Sequence, residues 1–136
     1  MDMNMTQDEA AIRRLIEDWA SAVRAQKVDK IVDRHANDIV MFDVPPPVEV
    51  RGIAAYRETW PPFLEWLREG DGTFEIMKLE VAAGDRVAYA TALLRCASKA
   101  ALAKDNTPRL RLTVGLRKID GTWNIAHEHH SFPADV

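Results

Sequence analysis

The stretch from Arg109 to Lys118 alternates strictly between two kinds of residue. Arg109, Arg111, Thr113, Gly115 and Arg117 fall on one side, and Leu110, Leu112, Val114 and Leu116 on the other. A period of two means a strand with one buried face. Asp120-Gly121 follows, and that dipeptide between strands is a strong hairpin signal. A second strand then reads Gly121-Thr122-Trp123-Asn124-Ile125-Ala126-His127-Glu128-His129-His130-Ser131. The rest of the chain must therefore cover the apolar face of a long antiparallel hairpin.

Two more strands precede it. Thr73 to Ala83 is one, Gly84-Asp85 turns it, and Arg86 to about Ser98 is the next. Lys104-Asp105-Asn106-Thr107-Pro108 reads as a polar loop. Further upstream the pattern is helical. Thr6 and Glu9 have capping-box spacing. Ile12, Leu15, Ile16, Trp19, Ala22 and Val23 then recur at helical period, so a helix to about Lys27 is predicted. Asp29 can cap a short second helix through Ile31, Val32 and His35. Ile39 to Val44 is a strand, stopped by Pro45-Pro46-Pro47 because proline cannot donate to a ladder. After Gly52, Ile53, Tyr56, Trp60, Leu64 and Leu67 suit one helical face. Pro61-Pro62 within it predicts a kink or two shorter helices.

Helices first and a strand meander last define an α+β chain. The expected form is a cone-shaped, strongly curved antiparallel sheet with the N-terminal helices on its concave face. Such a cone encloses a natural small-molecule cavity. The 136 residues suit a single domain, residues 1–136, with 1–5 flexible. An apolar share of 47% suffices for a core without staples.

Net charge of −3, without a recognition motif, argues against a nucleic-acid partner. No apolar run approaches the ~18 residues of a membrane span. The one cysteine, Cys96, cannot form an internal disulfide and sits in an apolar run, as a small buried hydrophobe does. Met1-Asp2-Met3-Asn4-Met5 lacks the basic and apolar regions of a secretory leader, so a cytoplasmic protein is expected. No phosphate-binding glycine loop or dinucleotide fingerprint calls for a cofactor.

The phrase Gly121-Thr122-Trp123-Asn124-Ile125-Ala126-His127-Glu128-His129-His130-Ser131-Phe132-Pro133 resembles the end of SnoaL-like proteins, of the ketosteroid-isomerase and nuclear-transport-factor-two superfamily. So do Ile39-Val40-Met41-Phe42-Asp43, Arg51-Gly52, Val87-Ala88-Tyr89-Ala90 and Leu112 to Lys118. The resemblance runs from about residue 6 to residue 133. It implies the cone fold and a pocket, but the superfamily hosts isomerases, dehydratases, cyclases, hydrolases and assembly modules. It places Asp43 at the general-base position of ketosteroid isomerase. The isomerase's oxyanion-hole Tyr and Asp fall on Ser21 and Val114, so steroid isomerisation by that route is not expected. The chain is also similar to the association domain of calcium/calmodulin-dependent kinase. That domain's pocket arginines fall on Val114 and His130 and its pocket histidine on Tyr56, so the anion-binding pair is absent.

Facing depends on the hairpin register, and a one-residue slip turns every side chain over. With Asp120-Gly121 as a two-residue turn, Val114 pairs with His127, and His127 and His129 face the pocket. With Gly121 as the bulge of a three-residue loop, Val114 pairs with Ala126, and Glu128 and His130 face inward. The second agrees with the family position of His130, and it would push Trp123 and Ile125 into a subunit interface. A carboxylate beside an imidazole orients it and makes it a base near neutral pH. The candidate catalytic residues are therefore Asp43, His130 and Glu128. Trp19, Tyr56, Trp60, Phe63 and Val114 are the candidate ligand-binding walls.

Simpler readings stand beside these. The histidines can be residues of a sheet-to-sheet dimer, and Asp43 can merely accept backbone N–H bonds. Arg109, Arg111 and Arg117 suit a solvated face. His127-x-His129 with Glu80 or Asp43 could hold a metal only without any supporting signature, so none is expected. His35 reads as a helix-end residue. The functional expectation is a protein binding a small hydrophobic, carbonyl-bearing molecule, possible acid/base chemistry included, that pairs as a homodimer through the sheet. The alternative is a non-catalytic assembly module.

Overall fold

The structure is a computed structural model that describes residues 5–135. The expected flexibility of residues 1–5 falls outside the described residues for positions 1–4. Two helices open the fold, α1 (Gln7–Arg24) and α2 (Val28–Ile31). Thr6 Oγ1 accepts from the Glu9 N–H at 3.1 Å, which caps α1 as its spacing predicts. α1 buries Ile12, Ile16, Trp19 and Val23 along one face. α2 ends at Ile31, so His35 is not a helix-end residue. It is the first residue of β1 (His35–Phe42).

β2 (Val50–Arg51) follows the prolines, and then come α3 (Ile53–Glu58) and α4 (Trp60–Glu69). The proline pair yields two helices rather than a kink, because Pro61 and Pro62 occupy the first turn of α4, where backbone N–H groups need no partner. The strands β3 (Thr73–Ala83), β4 (Val87–Ala97), β5 (Leu110–Ile119) and β6 (Thr122–Ser131) complete the chain. A short helix α5 (Lys99–Lys104), capped by Ser98 Oγ, lies ahead of the predicted polar loop.

The six strands form one curved, unclosed sheet in the order β2-β1-β6-β5-β4-β3. The meander β3 to β6 is antiparallel as expected. β1 departs from that pattern and runs parallel to β6, because the chain passes through α3 and α4 before it returns. The core lies between the helices and the inner sheet face. It includes Ile12, Ile16, Trp19, Tyr56, Phe74, Leu94 and Leu112.

The last hairpin combines features of both expected registers. Ile119 pairs with Thr122, so Asp120-Gly121 is a two-residue turn. Both residues have positive φ, 51° and 78°, as a primed turn requires. Leu116 then pairs with Ile125, but Gly115 pairs with His127. Ala126 is therefore an extra residue, a β-bulge. Beyond it Val114 pairs with Glu128, not with His127 or Ala126. The bulge lets Trp123 and Ile125 face inward on one side of it and Glu128 and His130 on the other. The expected placement of Trp123 and Ile125 in a subunit interface is thus corrected: both are buried in this chain's core. The Trp123 indole N–H donates to Asp8 Oδ1 at 2.9 Å.

Candidate functional site

The inward half of β6 carries its ionisable residues into the interior. Glu128 is 0% exposed and His130 8%. A buried carboxylate needs donors, since burial without them is costly. Glu128 has three. His130 Nε2 lies 2.9 Å from Oε1, while His35 Nε2 and the Tyr56 hydroxyl lie 2.8 and 2.7 Å from Oε2. The Tyr56 hydroxyl donates to Oε2 and in turn accepts from the Trp19 indole at 3.2 Å. Four elements, α1, β1, α3 and β6, thus converge on one carboxylate.

The electrostatics follow from that geometry. Burial alone would push the Glu128 carboxyl up, but hydrogen bonds from His130 and His35, together with their charge, outweigh it and hold it at about 2. Burial pulls His130 down, but the Glu128 hydrogen bond and charge, with a smaller contribution from Asp43, leave it above the ordinary imidazole range. Burial first, then the charge and hydrogen bond of Glu128, push the Tyr56 hydroxyl well above its usual range.

In front of this network lies a cavity of about 640 Å³. Its wall includes Asp43, Trp60, Phe63, Phe74, His130 and Phe132. His130 is the point where the network meets the cavity. Its Nε2 is committed to Glu128, which is the hydrogen bond its ring makes among the described residues and leaves Nδ1 uncommitted. Asp43 lies just past the end of β1, with Oδ1 accepting the Val44 N–H at 2.8 Å.

The structure thus brings Asp43, His130, Trp60 and Phe63 together around the cavity. Glu128, Trp19, Tyr56 and Val114 sit in the layer behind it and do not line this cavity. Trp19 meets the His130 ring edge-on at 6.4 Å between centroids. Tyr56 holds Glu128, and Val114 is its cross-strand neighbour. His127 and His129 turn the other way and pack on Phe42, with His127 Nδ1 2.6 Å from the Val40 carbonyl. Among the described residues no cluster of three or more His, Cys, Asp or Glu is placed to hold a metal ion. Sequence reasoning missed His35. A histidine four residues ahead of Ile39, with Ala36 beside it, was a faint sign that the strand begins earlier.

A curved sheet closed on one side by helices, with an apolar cavity between them, defines the class of folds described as nuclear-transport-factor-2-like or cystatin-like. The chain belongs to the SnoaL-like domain family, whose model matches residues 12–135. Among solved structures it is similar to an NTF2-like protein of unknown function from Pseudomonas putida KT2440. That protein shares 34% identity over 97% of this chain and 91% of its own, with a TM-score of 0.83. An NTF2-like protein with a cystatin-like fold from Novosphingobium aromaticivorans has 14% identity over 96% and 84% of the two chains, with a TM-score of 0.76. A candidate ketosteroid isomerase from Parabacteroides distasonis has 18% identity over 97% and 92%, with a TM-score of 0.68. The two last show the fold alone. No curated protein matches this chain significantly.

Proposed function

We propose that this SnoaL-like protein binds a hydrophobic, carbonyl-bearing small molecule in its cavity and acts on it by acid/base catalysis at His130 and Asp43. One observation carries the reading: His130 has one nitrogen fixed by a buried carboxylate and the other uncommitted, in a ring that forms part of the cavity wall. That is how a general acid or base is held. Asp43 takes a proton from the carbon beside the carbonyl. His130 in its protonated form, which the Glu128 carboxylate favours, donates its Nδ1–H to the carbonyl oxygen as the enol forms. Return of the proton to another carbon gives an isomer, and loss of a β-hydroxyl gives dehydration. The aromatic walls at Trp60, Phe63 and Phe132 suit a flat ligand.

The test uses ring ketones and enones, followed by quenching of tryptophan fluorescence and by turnover. His130→Gln and Asp43→Asn proteins are expected to keep the fold and to bind within a few-fold. Each should lose turnover by at least about 100-fold. Full turnover and affinity in Asp43→Asn would remove Asp43 from this role.

The outer sheet face supports a homodimer as the form in which the site works. Phe42, His129, Thr113, Thr91 and Glu80 lie in one cross-strand row, with Tyr89, Gly115 and His127 in the next. Phe42 and Tyr89 are exposed there. Light scattering on the purified chain should return twice its 15.4 kDa mass. A monomer at micromolar concentration would contradict this, and a larger ring would favour the alternative of an assembly module. The free, buried thiol of Cys96 fits a reducing compartment, and we place the protein in the cytoplasm.

A further inference from the structure

Glu128 shares its two oxygens unequally. Oε1 serves His130 alone, while Oε2 takes both His35 and Tyr56. His35 does not line the cavity in front of His130, and its side chain is fully buried. If it only filled space, an apolar side chain would serve better there, because a buried imidazole must find partners.

Its partners form a line. His35 Nδ1 lies 2.8 Å from the Asp33 carbonyl, and its ring packs on Tyr56 at 4.8 Å between centroids. The next carbonyl, that of Arg34, accepts the Ile125 N–H of β6 at 2.8 Å. The backbone that holds His35 is therefore itself tied to the strand that carries Glu128 and His130.

We propose that His35 is a positioning residue of this site: pinned between the Asp33 carbonyl and Glu128, it fixes the carboxylate that decides which nitrogen of His130 faces the cavity. The inference deepens the reading of His130 as the acid/base group and rests on it for its meaning. With Oε2 held, the carboxylate cannot turn away, and Oε1 stays aimed at His130 Nε2. Neutral His130 then carries its proton on Nε2 and keeps the Nδ1 lone pair free. Partners at this depth of a site set tautomer and orientation in the same way around metal-bound imidazoles.

The groups that face His130 are few. Glu128 lies on its own strand, Asp43 beyond β1 and Cys96 on β4. His35 on β1 and Tyr56 on α3 act on it through Glu128. α1 presents the uncharged Trp19.

The experiment follows the ring nitrogens by proton–nitrogen correlation spectra of the full chain over a pH series, without ligand. Wild-type His130 should show the Nε2–H tautomer when neutral. In His35→Leu the tautomers should mix. The His130 midpoint should fall, because a carboxylate free to turn away stabilises the imidazolium less. His35→Gln, whose amide can place an N–H near the Nε2 position, should restore the wild-type signature. A folded His35→Leu protein with the wild-type tautomer and midpoint overturns the proposal. If that variant does not fold, His35→Asn, whose shorter amide stops at the Nδ1 position, removes the same partner of Oε2 and should move the midpoint the same way. Unchanged spectra in it overturn the proposal equally. Failure of the wild type to bind or convert any ketone would sink the catalytic reading and leave these spectra unaffected.

Discussion

Glu128→Ala is expected to destabilise the fold by about 3–5 kcal/mol, the range for removing one partner from a buried ionic cluster. The substitution deletes the acceptor of His130, His35 and Tyr56 at once, all three of them buried. Each donor left unpaired bears its own desolvation cost, and the missing carboxylate leaves a void besides. Denaturant titration measures the effect, with a far-ultraviolet spectrum to confirm that the variant still folds. A loss below about 1 kcal/mol would mean that the network relaxes and that Glu128 does not organise it. Glu128→Gln should fall between, since the amide keeps the shape and one acceptor but not the charge.

The second large effect is a loss of stability in acid. The Glu128 carboxyl sits at about 2 in the fold against an ordinary 4.5. A depressed carboxyl stabilises the folded state above its unfolded value. That contribution fades as pH falls through 4.5 and is gone near 2. The gap is worth about 3 kcal/mol. His130 acts with the opposite sign. Its folded value is raised above 6.5, so its contribution is complete below 6.5 and disappears as pH climbs through the folded value. Stability should therefore peak between the two. Denaturation midpoints from pH 2 to pH 9 test this, with Glu128→Gln as the control. The acid slope should be shallower in that variant, and an equally steep slope would assign the acid loss to other carboxylates. Half-buried Asp8 and exposed Asp38 and Asp105 are lowered too, but pairs near the surface add little.

Where a residue pattern reports a local rule, the sequence was sufficient. Thr6 and Glu9 mark the helix start because capping is settled within four residues. Asp120-Gly121 marks the turn because only two positions with positive φ need filling. Thr73–Ala83 was legible to both ends because its ladder to β4 is bounded by a glycine turn. Of the candidate site, the sequence pointed to Asp43 and His130, which line one cavity. The rear of the site was not legible. Tyr56 reads as one more aromatic on an apolar helix face, and its hydroxyl's partner is 72 residues away. His35 belongs to β1 only through pairing with β6, and the irregular register between His35 and Val40 blurs the alternation that would have marked it. Such pairings are set by tertiary contact, and no local pattern reports them.

The bulge at Ala126 has a consequence for how this strand can change. It divides β6 into two stretches of opposite phase, so the turn end answers to the core and the far end answers to the site. Substitutions that reshape the turn or repack Trp123 are absorbed before they reach Glu128. Drawing the bulge flat, so that Ala126 pairs with Gly115, would do what many point changes could not. It would put His127 opposite Val114, send Glu128 and His130 outward, and bring His127 and His129 to the interior. One alanine with no chemistry of its own thus decides which pair of ionisable groups the protein keeps inside.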